Sequence, residues 1–159
     1  MSGRRHLIAI GLAVAAVVVG IAIASQGQSG DGRNDAMLFL DRIEGLDVED
    51  PIEERRAQVG VLAGLPLHAE SVVEVRDLCV SAHSTLIRAE DRSAEARSLF
   101  DEASAHGTIE VSTEIAARIE DAIADSDRAI EEARTMLPRC MQRVETLRSR
   151  YTSRRHEAR

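Results

Sequence analysis

The sequence predicts an all-α chain: an N-terminal membrane-spanning helix, two short helices, and then a long antiparallel, coiled-coil-like helical hairpin. Three observations predict it. Residues 7–24 are an unbroken apolar run, Gly107 is the one glycine left after Gly64, and apolar residues recur at alternating steps of three and four on both sides of Gly107. The composition agrees, since 30% of the residues are charged and only Phe39, Phe100 and Tyr151 are aromatic. Charge this dense with so few rings suits solvated helices and gives no aromatic platform for bases or sugars.

All twenty cationic side chains are Arg. A chain without Lys can form no Schiff base and carries no phosphate-loop lysine. Its net charge of −7 disfavours duplex nucleic acid as a partner. A nucleophile, a base and an orienting carboxylate must converge in a pocket to catalyse acyl transfer. The histidines (His6, His68, His83, His106 and His156) are scattered, and no Gly-x-Ser-x-Gly elbow, CxxC pair or phosphate loop occurs. Asp121 and Asp125 share a helix face while Asp127 points elsewhere, which describes a solvated surface. The expectation is a chain that binds rather than catalyses, with no cofactor and no small-molecule substrate.

The elements follow in order. Residues 1–6 form a short basic segment with Arg4 and Arg5, expected to stay cytoplasmic. Residues 7–24 (LIAIGLAVAAVVVGIAIA) would reach about 27 Å as a helix, close to the thickness of a bilayer's hydrocarbon core. They read as a single-pass signal anchor of an inner membrane with the bulk of the chain periplasmic. The alternative is a signal peptide cleaved after Ala24, which releases a periplasmic or secreted protein. Residues 25–34 carry three glycines and no apolar residue, and so form a flexible linker.

Residues 35–64 hold the two short helices. The first is expected from an Asp35 cap to about Glu44, with Gly45 as its stop. The second follows an Asp50 cap, with Pro51 at its first position and Gly64 at its end. Neither is long enough to stand alone in water, so both must pack on something.

Residues 65–159 are the hairpin, turning around His106 to Val111, with arms of roughly 60 Å. The expected seam on the first arm is Val72, Val75, Cys79, Ala82, Leu86, Ala89, Ser93, Ala96, Phe100 and Ala103. On the second it is Ile119, Ile123, Ser126, Ile130, Ala133, Leu137, Cys140, Val144, Leu147 and Tyr151. Pro138 removes one hydrogen bond and either kinks or ends the second arm; the seam beyond it favours a continuous helix. The outer flanks Val73, Leu78, Val80, Ile87 and Leu99 are apolar and would offer a surface for a protein partner or for self-association.

Cys79 and Cys140 both fall in the seam, and their midpoint lies between Ile109 and Glu110, at the expected turn. A hairpin would bring them level, and in an oxidising compartment they are a disulfide candidate. Two buried free thiols remain the alternative. A third reading is a soft-metal site of Cys79, His83 and Met141 on a periplasmic metal-binding or stress-responsive hairpin. In outline the chain resembles the small periplasmic helical-hairpin stress and metal-sensing proteins. It lacks their repeated Leu-Thr-x-x-Gln motif, so no residue role carries over.

Charge is segregated. Residues 35–54 carry eight acids and one Arg, residues 110–132 eight acids and two Arg, and residues 133–159 eight Arg and two Glu. Acids early and bases late complement helix dipoles. The basic end can also meet the acidic helices at the hairpin base, or place Arg148, Arg150, Arg154 and Arg155 on anionic lipid headgroups.

Overall fold

A computed structural model describes residues 32–105 and 112–152, and all its regular elements there are helices. Helix α1 occupies residues 32–43. It is followed by α2 (Ile52–Ala63), α3 (Glu70–Ala105) and α4 (Thr113–Thr152). The long helices α3 and α4 pack against each other along their length, and α2 packs on α3. This is the expected hairpin, with its reversal between Ala105 and Thr113. The apolar run at residues 7–24 lies outside the described residues; among those described, no helix is long and apolar enough to cross a membrane.

The arms hold because each has an unbroken small or apolar stripe and no interior glycine. Helix α4 runs on through Pro138 without ending, so the arm is continuous to Tyr151. Helix α2 runs along α3 from Glu90 and Asp91 to the open end of the hairpin, where α1 lies and the core is concentrated. Phe39 of α1 is fully buried there with Ala36 and Leu40. Around them lie Leu62 of α2, the connecting residues Leu65 and Leu67, and Val72, Val75, Cys79, Ala82, Cys140, Val144 and Leu147 of the arms. The short helices therefore find the partner that their length demands.

Two caps differ from the sequence expectation. Asp35 does not begin α1, which is already helical at residue 32. Its buried carboxylate Oδ2 instead accepts the backbone N–H groups of His68 and Ala69, both at 2.6 Å. Those amides stand just before α3, where an anion is favoured by the unsatisfied N–H groups and the dipole. Asp35 thus welds α1 to the start of α3. Asp50 does not cap α2 through its side chain either. Its carbonyl accepts from Arg55 Nε at 2.9 Å and its Oδ2 from Gln58 Nε2 at 3.3 Å.

The seam needs a larger correction. Near the base it runs as expected, but toward the turn Phe100, Ile123 and Ile130 are 58%, 49% and 38% exposed. On α4 the expected Ser126 and Ala133 are buried, but Ala122 and Ala129 take the places expected of Ile123 and Ile130, and on α3 Leu99 is buried in place of Phe100. The reason is helical pitch. Stepping back from Cys140 at about 3.6 residues per turn lands on Met136, Ala133, Ala129, Ser126 and Ala122, whereas a strict heptad seam drifts by about 20° per heptad from that line. Helix α4 keeps the straight period, so the smaller neighbours turn inward and the isoleucines are left on the flank. The apolar flank of α3 is corrected too. Val73, Leu78 and Val80 pack against the core, and Ile87 and Leu99 are buried.

Candidate functional site

The hairpin has two distinct regions, and every candidate residue falls in one or the other. In the base, Cys79 and Cys140 are joined by a disulfide, with Cα atoms 5.0 Å apart and 61 residues between them in sequence. Both are buried. The bond fixes the register of the two arms within the core that they share with α1, and it points to an oxidising compartment. It also engages the sulfur that the soft-metal reading needs as a thiolate. His83 is half-buried one turn further on, and Met141 is 70% exposed. Among the described residues, no group of three or more His, Cys, Asp or Glu side chains is placed to hold a metal ion.

Beside His83 lies a second connection, which the sequence did not reveal. Arg55 of α2 is buried and pairs with Glu90 of α3, while its Nε is held by the Asp50 carbonyl. The next residue of α2, the more exposed Arg56, reaches both carboxylate oxygens of Asp91 at 2.9 and 3.1 Å. Two adjacent arginines thus clip the short helix to two adjacent acids of the arm. Burial, and then the positive charge of Arg55, push the His83 pKa below its ordinary value. Nothing in the spacing of Arg55 and Glu90, 35 residues apart, could have announced the pair without knowing how α2 docks.

The basic end of α4 is partly accounted for. Arg148 donates to Glu44 at the end of α1 and to Glu145, each at 2.8 Å. The hydrogen bonds that it donates to Glu44 and then to Glu145 raise its already high pKa further. This is the meeting of basic arm and acidic helices allowed by the charge segregation, in one pair. Arg150 is exposed beside a shallow groove with Arg143 and Glu74. Arg154 and Arg155 lie outside the described residues.

From the start of α2 toward the turn no other described element covers the two arms, and their two faces differ. One face is laced with ion pairs: Arg88 with Glu132, and Arg92 and Arg128 with Asp125. Asp125 therefore serves as an ion-pair partner, in keeping with the solvated surface expected of it. The other face carries an open groove of about 460 Å³ lined by Ala96, Phe100, Ile119, Ile123 and Ile130, with Arg97, Asp101 and Asp127 among the polar residues at its sides. Beneath it Ser126 Oγ donates to the Ala89 carbonyl at 2.9 Å, a buried hydrogen bond between the arms. On α4 alanines and Ser126 take the inner positions, and Ile123 and Ile130 line the groove instead, with Phe100 of α3. Ser126 and Ala133 were legible as seam residues; the missed signal was Ala122 and Ala129, each one residue before an isoleucine of the expected seam.

Comparison with protein-family models, with curated proteins and with solved structures finds no match to this chain.

Proposed function

We propose that the chain is a non-catalytic, extracytoplasmic helical scaffold or interaction protein of a bacterial cell envelope, tethered to the inner membrane through residues 7–24. The observation that carries this reading is the buried Cys79–Cys140 disulfide, which belongs to chains exported into an oxidising space. It agrees with the apolar run behind Arg4 and Arg5, which has the length of a spanning helix. A rigid, clamped base with a projecting pair of arms suits display of a binding surface away from the membrane. The groove on the arms is open and apolar, with large side chains of the kind that anchor contacts.

The test is fractionation of a bacterial host expressing the full chain, with thiol alkylation before and after reduction. The reading expects the chain in the inner-membrane fraction, with the start of the chain intact and two thiols that alkylate only after reductant. A mature chain beginning at Ser25 would replace the anchor with a cleaved signal peptide. Thiols that alkylate freely in the native protein would remove the extracytoplasmic assignment.

A further inference from the structure

We infer that the groove on the arms is the contact face of a homodimer, occupied by the same groove of a second copy of this chain. The inference rests on the reading of the protein as a binding scaffold and names its partner.

The first support is architectural. In the base, the pair α3 and α4 is covered by α1 and α2, which bury Phe39, Leu40, Val59 and Leu62. On the arms the same pair has no helix over it among the described residues, yet Phe100, Ile123 and Ile130 stand out into solvent. A two-helix layer with one apolar face is an unfinished bundle. A second copy laid face to face supplies the two missing helices in antiparallel neighbours, the packing that four-helix bundles use.

Charge gives the second support. On the opposite face the arginines and acids pair within the chain, as Arg88–Glu132 and Arg92–Asp125 show. At the groove they do not. Arg97 donates only to Ser93 Oγ, and neither Arg97, Asp101 nor Asp127 has an ion pair among the described residues. Arg97 stands on the α3 side and Asp127 on the α4 side. A two-fold axis along the hairpin lays the α3 side of one copy over the α4 side of the other; Asp127 stands about 8 Å nearer the base than Arg97, within reach of a long side chain that leans toward the start of its own helix. Such an isologous contact closes on itself and forms no open array. The groove spans Ile119 to Ile130, about 17 Å along the arm, so the contact is small and the dimer reversible.

The experiment places a photo-reactive phenylalanine analogue at position 100 of the full-length chain, irradiated in native membranes. The expected product is an adduct of twice the chain's mass whose peptides all belong to this chain. Ile123→Glu should lower its yield about tenfold, as for a central apolar anchor. Arg97→Asp should lower it less, and Arg97→Asp combined with Asp127→Arg should restore it. Circular dichroism melting of each variant shows that the hairpin is still folded. An adduct with a different protein would overturn the homodimer while leaving the scaffold reading intact. So would no adduct at all, an adduct indifferent to Ile123→Glu, or a charge swap that fails to restore the yield.

Discussion

The base and the free arms are made from the same two helices, yet they are held in different ways. In the base, α1 and α2 lie over the pair, Phe39 fills the centre, and a disulfide, the Asp35 cap and the Arg55–Glu90 pair join elements far apart in sequence. On the arms the α4 side of the seam is alanine and serine, the cross-links are exposed ion pairs and one buried Ser126–Ala89 hydrogen bond, and Phe100, Ile123 and Ile130 face outward while Leu99 is buried. Exposed pairs of that kind are worth about 0–1 kcal/mol each. The contrast teaches that one amphipathic pattern can serve two ends. Where covering helices exist it makes a core, and where they do not it leaves a face for something else.

The strongest way to break that contrast is to delete one ring from each region. Phe39→Ala should cost about 3–5 kcal/mol of unfolding free energy, as for a fully buried ring. Phe100→Ala removes a side chain that is 58% exposed and should change the stability of the monomer by only about 0.5 kcal/mol. Denaturant titration of both variants measures the difference. Equal losses would mean that the arms hold a core of their own.

Opening the clamp comes next. Replacing both cysteines, Cys79→Ala with Cys140→Ala, removes a cross-link closing a loop of 61 residues, worth about 4 kcal/mol on the chain-entropy model. The loss should appear equally on adding reductant to the wild type. It should fall on the base as well as the arms, because α1 and both cysteines belong to one buried core. Amide exchange reads this directly. Faster exchange in α1 supports a single cooperative base, whereas loss confined to the arms would separate the short helices from it.

The extent to which the fold was legible follows the same division. The hairpin, its turn and the cysteine pairing were readable because they depend on local periodicity and on symmetry about one point of the chain. Gly45 and Gly64 ended their helices where a glycine should. The docking of the short helices was not readable, since Asp35 finds its partners at His68 and Ala69, and Arg55 at Glu90, only after the chain has folded back. The groove escaped for a subtler reason. The heptad line through Ile123 and Ile130 and the straight line through Ala122 and Ala129 differ by a single residue. Size favours the first as core, and only the pitch of α4 decides for the second.

A gentler probe is acid. Burial and then Arg55 lower the His83 pKa in the folded state, so the unfolded chain binds the proton more readily. Stability from this group is therefore complete above its ordinary pKa of about 6.5 and is lost as pH falls through the lower folded value. Melting temperatures measured below pH 6.5 should decline less in His83→Gln than in the wild type. The facing charges are Arg55 and its partner Glu90, so Glu90→Gln should steepen the wild-type decline by leaving Arg55 without its counter-charge. Parallel pH profiles for wild type and His83→Gln would show that neither burial nor Arg55 lowers the His83 pKa in the folded chain.

The smallest change tests where the base ends. Gly60 sits in the exposed middle of α2, and a Cβ built there meets no atom within 4 Å. Alanine at that position gives up less backbone freedom on folding, so Gly60→Ala should stabilise α2 by up to about 1 kcal/mol. How the gain is expressed is the informative part. If α2 is cooperative with the base, the global unfolding midpoint should rise by that amount. If α2 opens alone, its own amides should exchange more slowly while the global midpoint stays fixed. The two arginine clips to Glu90 and Asp91 favour the first outcome, because α2 cannot lift without breaking both, and with them the burial of Val59 and Leu62.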